Sequence, residues 1–287
     1  CLMIETKRQS LETPQGIVFV NTKLKTRELS NNKSSMTFTQ FFRSWNDFLK
    51  VAKMKTSKSF QKLEENYSSC KKSSTRKGSL TWCLNTNLEQ AIKLAKLGWK
   101  EHLDEVRTKK KLLVNRVGKS VKTQELTYAP TGTEFDVVKV MQGVPDPWAS
   151  THETEQVIKG RGNKLRKVVF NISMSCNTSS KTIIIKGTMV ASLIELLESN
   201  GFSVALDLAI ACDGDGERNR KYQFLLPMKT YQEQSNLPRL LYCLSHPSVL
   251  RRLAFSVQEN SLDYDWLRWL GIGIGCYGRV SSLDREL

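Results

Sequence analysis

Histidine and paired cysteines are what this sequence most lacks. It has three histidines, at 102, 152 and 246, and seven cysteines, at 1, 70, 83, 176, 212, 243 and 276, with no C-x-x-C pair. Zinc modules draw their ligands from clustered Cys and His at short spacing, so this scatter excludes the common ones. An odd number of separated cysteines reads instead as reduced, mostly buried thiols. Long apolar runs are missing too. No stretch approaches the ~18 residues needed to span a bilayer, and the run at 202–212 is interrupted by Asp207. The first twenty residues lack the basic start and apolar core of a signal peptide. These absences predict a cytoplasmic chain with no membrane partner.

Catalytic signatures are equally absent. No G-x-x-x-x-G-K-[ST], H-E-x-x-H or G-x-S-x-G occurs. The segment 271–278, GIGIGCYG, lacks the strand-to-helix setting of a dinucleotide-binding loop and reads as a Gly-rich strand. The polar run 177–180 has no nearby histidine to act as base. Glu195 and Glu198 stand three apart on one helical pattern and read as a solvated face. The chain is therefore expected not to be an enzyme.

Positive charge is what the sequence has in excess. The 287 residues carry a net charge of +16, unevenly spread. Residues 1–125 hold 26 Lys and Arg against 11 Asp and Glu, a balance of +15; the remainder holds 18 against 17, a balance of +1. A basic half joined to a neutral half suits a polyanionic partner, and equally suits solubility alone. The candidate phosphate contacts are Lys71, Lys72, Arg76, Lys77, Lys109, Lys110, Lys111 and Arg116. Trp82 and Trp99 stand nearby in sequence but also fit apolar stripes, and no RNA- or DNA-binding motif is present.

Along the chain, residues 1–35 are rich in Lys, Thr, Ser and Asn, with one candidate strand at 16–21. The chain begins with Cys1, and the folded protein is expected to start at Met36, leaving 1–35 as a disordered or non-native extension. In 36–54 the residues Phe41, Phe42, Trp45, Phe48, Leu49 and Ala52 recur at helical spacing, with Thr39 as a cap. Residues 55–79 read as a mobile polar connection, 80–83 as a short strand, and 88–98 as a helix that resumes through 117. Residues 132–148 read as a short helix ending in a Gly/Pro turn. Residues 36–160 thus form a basic, mainly helical region, with a boundary near 160.

From 161 to 287 the pattern predicts an α/β domain. Residues 166–172, RKVVFNI, form a β-branched run, and 182–199 an amphipathic helix closed by Asn200-Gly201. Strands follow at 202–212 and 221–229, and the short connection between them forces an antiparallel pair. Helices are expected at 237–244 and, beyond Pro247, through 257. The crossover through 182–199 predicts 168–172 and 204–211 as adjacent parallel central strands in a three-layer unit, with 221–229 at an edge.

The order strand, helix, strand, antiparallel strand, helix over about 165–258 resembles the opening half of a von Willebrand factor A-type domain. That family ends its first strand in D-x-S-x-S, whose oxygens hold a divalent cation at the sheet edge. The matching residues here are Asn171, Ser173 and Ser175, so both serines agree and the aspartate does not. Alternate residues at a strand end converge on one point, and Asp213 and Asp215 follow the next strand at the same edge. The resemblance implies Mg²⁺ or Mn²⁺ at these five residues and a protein partner at that edge. The ordinary alternatives are a hairpin turn for Asp213 and Asp215, and helix capping for Asn171, Ser173 and Ser175. A second resemblance spans about 78–258. The stretches GSLTWCLNTNLEQAIKLAKLGW, EFDVVKVMQGVPDPW, VVFNISMS and LSHPSVLRRLAFSVQE are similar to an uncharacterised family of tailed-phage proteins. It implies a phage-encoded protein in the host cytoplasm. The expected function is a non-enzymatic protein-interaction module, with nucleic-acid binding through the basic half as the alternative.

Overall fold

Val204, Leu206, Leu208, Ile210 and Cys212 fall on one side of an extended chain, and Ala205, Asp207, Ala209 and Ala211 on the other. The computed structural model describes residues 2–13, 16–28, 34–54, 57–66, 80–117, 122–129, 134–135, 141, 148–155, 164–214, 220–272 and 277–283. The chain opens with strands β1 (Leu2–Thr13), β2 (Gly16–Glu28) and β3 (Ser34–Phe41), then helices α1 (Trp45–Ala52) and α2 (Lys58–Asn66). A 3₁₀ turn at Thr81–Cys83 leads to α3 (Leu88–Leu97) and α4 (Leu103–Val117). Strands β4 (Lys122–Ala129), β5 (Glu134–Phe135) and β6 (Trp148–Glu155) form a small sheet of their own. Next come β7 (Lys164–Asn171), α5 (Ser180–Ser199), β8 (Phe202–Asp213) and β9 (Arg220–Lys229). The chain closes with α6 (Leu237–Ser245), a π-helical stretch (Val249–Ala254), α7 (Phe255–Ser261), α8 (Tyr264–Trp269) and β10 (Arg279–Val280).

Seven strands form one mixed sheet in the order β1-β2-β3-β9-β8, with β7 and β10 both on the far side of β8. As the sequence predicts, β7 and β8 are adjacent and parallel, joined through α5, and β9 runs antiparallel to β8. The edge assignment is corrected: β7, expected to be central, pairs among the described residues with β8 alone and lies at the edge. Strand β9 is interior, because β3 pairs with it in parallel over Met36–Phe41. The first 35 residues are not an appendage either: β1 and β2 pair along their whole length and extend the sheet beyond β3.

The expected helix over 36–54 divides into β3 and α1, capped by Ser44 rather than Thr39. The apolar residues there satisfy a period of two up to Phe42 and of 3.6 after Trp45, so one periodicity masks the junction. Residues 58–66, expected to be mobile, form α2, which buries Phe60 and Leu63. Residues 81–83 coil as a 3₁₀ turn, and the ends of the expected 132–148 helix, 134–135 and 148, are strand. The basic first 125 residues thus contribute three of the seven strands, while the described residues of 36–160 hold the four helices α1 to α4 beside β3 and the small sheet.

The helices collect on the Leu208 face. From α1, Phe48 meets Phe224 with ring centroids 5.5 Å apart; from α8, Trp266 meets Phe38 at 5.1 Å. From α5, Lys186 lies over the Phe170 ring, and from α7, Ser261 Oγ donates to Gln40 at 3.0 Å. Helices α3, α4 and α6 pack on these in turn. Among the described residues the expected three layers therefore reduce to helices over one face of a mixed sheet. Gly187 lets α5 press onto α6, since a Cβ there would lie 2.2 Å from the Leu244 carbonyl oxygen. No described helix is long and apolar enough to cross a membrane.

Candidate functional site

Strand β7 stops at Asn171, and β10 takes up the same side of β8 only at Cys212 and Asp213. Between them the ladder is completed by a side chain. Ile172 N–H donates to the Ala209 carbonyl at 2.9 Å, Ala211 N–H donates to Ser173 Oγ at 2.8 Å, and Ser281 N–H donates to the Ala211 carbonyl at 3.1 Å. Asn171 ties the two strand ends together: its Nδ2 donates to the Ser281 carbonyl at 3.1 Å while its Oδ1 accepts from Ser173 N–H at 2.9 Å. A buried backbone N–H needs such an acceptor, so Ser173 does ladder work at this edge.

The sequence-predicted metal residues therefore meet only in part. Asn171 and Ser173 adjoin, but Ser175 is exposed and its Oγ accepts weakly from Asn177 N–H at 3.4 Å. The helix cap expected of this loop is Ser179, whose Oγ accepts from Thr182 N–H at 3.2 Å. Asp213 closes β8 in register with Lys221 on one side and Arg279 on the other, and Asp215 lies outside the described residues. Among the described residues no three His, Cys, Asp or Glu side chains gather to hold a metal ion. Asn171 Oδ1 and Ser173 Oγ are neutral oxygens already serving backbone donors, and by themselves they do not offset the dehydration of Mg²⁺.

The same edge opens into a cavity of about 330 Å³. Ser173 and Ser175 form its rim with the exposed Cys176, and Ile210, Cys212 and Leu250 form its floor. Its aromatic wall is Trp82, Phe255 and Tyr277, the last two rings lying parallel with centroids 3.8 Å apart. Tyr277 is anchored by its hydroxyl, which donates to Glu259 Oε1 at 2.5 Å.

Three polar groups give the cavity its chemistry. Arg251, only 1% exposed, donates from Nη1 to the Trp82 carbonyl and from Nη2 to the Thr178 carbonyl, each at 2.6 Å. Its guanidinium sits 4.4 Å from the centre of the Trp82 ring. Burial pushes the Arg251 pKa down, and the Cys83 and Cys176 thiols oppose that shift. Gln258 is fully buried, donates from Nε2 to Cys212 Sγ at 3.7 Å, and has no hydrogen-bond partner for Oε1 among the described residues. Arg279 lines the mouth. Sequence reasoning missed Arg251 and Gln258, because both sit in what reads as an ordinary helix. The available signal was two adjacent arginines within an apolar run, in LRRLAF. The structure buries both across a π-helical stretch, an element frequent at functional sites.

The candidate phosphate contacts divide as well. Lys109 pairs with Glu105 at 2.6 Å and donates to Thr188, while Lys110 approaches Glu195 at 3.7 Å, which turns both toward α5. Lys111 is exposed. The Arg116 side chain and Lys71, Lys72, Arg76 and Lys77 lie outside the described residues. Trp99 is buried, its ring centroid 4.7 Å from those of both His102 and His246, so it is core rather than a stacking platform.

No curated protein and no solved structure matches the chain. A family model described as "Domain of unknown function (DUF7192)" matches residues 20–281, which takes in β3 to β10, both ends of the ladder closed by Ser173 and the whole lining of the cavity. The chain belongs to this uncharacterised family.

Proposed function

We propose that the protein is a non-enzymatic interaction module that receives a segment of a partner protein at the β7/β8 edge. The cavity carries this reading: a concave, largely apolar site with a few inward polar groups is the usual form of a binding pocket. The strand–helix–strand–antiparallel strand unit from β7 to β9 supports likeness to an A-type domain, whose partners bind at this edge. The sequence stretches named above support a tailed-phage origin. Selection of peptides from a displayed library tests the function. The expected result is convergence on one short motif whose affinity falls at least tenfold in Ser175→Trp, which fills the mouth. A library that fails to converge, or binding indifferent to Ser175→Trp, overturns it.

A second reading rests on another surface. Arg8 stacks its guanidinium 3.9 Å from the Phe19 ring centre, in a depression of about 350 Å³ shared with Asn21, Phe41 and Arg43. Aromatic and guanidinium faces beside one another suit single-stranded nucleic acid. Filter binding across salt tests it, with a slope of about −0.7 per phosphate contact on single strands and flattening in Arg8→Glu. No retention at low salt removes this reading.

A further inference from the structure

We infer that two copies of the chain join through β1, which pairs antiparallel with itself across a two-fold axis at Thr6. The inference is independent of the cavity and concerns the opposite edge of the sheet. Strand β1 pairs with β2 alone among the described residues, so its other side ends the sheet. Residues 3–8 are exposed in succession, and they include Met3 at 62% and Ile4 at 53%. The strand is nonetheless held in place. Gln9 Nε2 donates to the Ser261 carbonyl at 3.0 Å, and Leu11 is buried with Val18 and Val20. A long, anchored edge with open backbone groups is a template for another strand.

The register of β1 on β2 shows which groups are open. Thr22 Oγ1 donates to the Lys7 carbonyl at 3.0 Å, so that carbonyl faces β2. Alternation along an antiparallel strand then turns the N–H and C=O of Ile4, Thr6, Arg8 and Ser10 outward. Charge selects the occupant and the register. Antiparallel neighbours present the same face where they meet, so the two-fold axis stands normal to the sheet. Centred on Glu5, Lys7 or Arg8, the axis would set like charges directly opposite each other. Centred on Thr6, it sets Glu5 of each copy opposite Lys7 of the other and Arg8 opposite Ile4, with no like charges facing. Glu5 and Lys7 then meet at non-hydrogen-bonded positions, where side chains approach most closely. A register centred on Ser10 also opposes charges, Arg8 to Glu12, but it spans only Lys7–Thr13 and leaves Met3 and Ile4 in water. The Thr6 register spans Leu2–Ser10 and covers both.

Sedimentation of the full chain from micromolar to millimolar concentration tests this. The parent should reach twice the mass of one chain. Thr6→Pro removes an outward N–H and no bond to β2, so it should weaken association about tenfold or more while the fold persists. Lys7→Glu alone, or Glu5→Lys alone, sets like charges opposite each other twice, and each should weaken self-association about tenfold. An equimolar mixture of those two variants restores both opposite pairs and should dimerise as the parent does. Should Thr6→Pro disturb the β1–β2 pair, the mixture still decides. A parent that stays monomeric overturns the inference and leaves the edge to a strand of another protein. A dimer that ignores Thr6→Pro, or whose Lys7→Glu and Glu5→Lys variants gain nothing on mixing, uses another contact or register and equally overturns it.

Discussion

Gly187 faces the backbone of Leu244 so closely that a Cβ on it would lie 2.2 Å from the carbonyl oxygen and 2.4 Å from the carbonyl carbon. Backbone atoms of a packed helix do not move aside as a flexible side chain would. The contact fixes the spacing between α5 and α6, and α5 is the helix that connects β7 to β8. Gly187→Ala should therefore destabilise the fold by about 3 kcal/mol or more. The gain of about 1 kcal/mol in helix propensity does not offset this. Urea denaturation should show it, and a variant as stable as the parent would refute the close approach.

Ser173 is assigned a structural duty that the Ser175 hydroxyl does not share. Ser173→Ala leaves the Ala211 N–H without its acceptor, at a cost of about 1–3 kcal/mol. Ser175→Ala, at an exposed position, should change stability by less than about 0.5 kcal/mol. Neither difference should respond to Mg²⁺ or Mn²⁺ in thermal denaturation. A midpoint that rises with Mg²⁺ in the parent and not in Ser173→Ala would restore the metal site.

His246 couples the fold to pH. Its Nδ1 accepts from the Ser248 hydroxyl at 2.8 Å and the Ser248 N–H at 3.2 Å, and Trp99 and Tyr242 flank the ring. Burial, helped by the nearby His102, pushes its pKa down to about 4. An unfolded histidine titrates near 6.5, so between those values the unfolded chain binds the extra proton. Stability from this group is complete above about pH 6.5 and falls by about 3 kcal/mol as the pH drops to 4. Glu105, held below the usual carboxylate range by Lys109 and His102, loses its contribution only at lower pH. Denaturation at pH 7, 5.5 and 4 should show this loss, and His246→Gln should flatten it while lowering stability at pH 7.

The lysine cluster gives a distinction within three consecutive residues. Lys110→Glu places a carboxylate near Glu195, and Lys109→Glu removes an ion pair to Glu105, so both should lower stability. Lys111→Glu should leave stability unchanged and reduce the salt slope of any nucleic-acid binding by about 0.7–0.9. Restoration of Lys110→Glu by Glu195→Lys would confirm the pairing. A Lys111→Glu slope identical to the parent's would remove Lys111 from any phosphate contact.

The central unit was legible because its signals agree. Strands β7, β8 and β9 carry unbroken β-branched or alternating runs, and α5 carries a helical period closed by Asn200-Gly201, so each lies within two residues of its expected bounds. Of the N-terminal strands only the start of β2, at 16–21, was legible. Residues such as Glu5, Lys7, Lys23 and Lys25 give little apolar alternation, and their pairing is decided by neighbours rather than by local pattern. At the site, the rim residues Ser173 and Ser175 were singled out by the resemblance to the D-x-S-x-S strand end, which implied metal binding for them. Arg251 and Gln258 stayed hidden because burial of a polar side chain within a helix leaves no periodic trace.

The π-helical stretch Val249–Ala254 has a consequence for chain length. Such a turn holds one residue more than an α-helical turn, and it is followed directly by α7. Successive residues of an α-helix are set about 100° apart, so deleting any one residue from 249–254 would let α6's successor wind regularly but turn everything beyond it by that angle. Gln258 would leave the cavity, Asn260 would lose the Val51 carbonyl, and Ser261 would swing away from Gln40. The stretch acts as a reading-frame mark in three dimensions, tolerant of which apolar residues fill it and intolerant of how many there are.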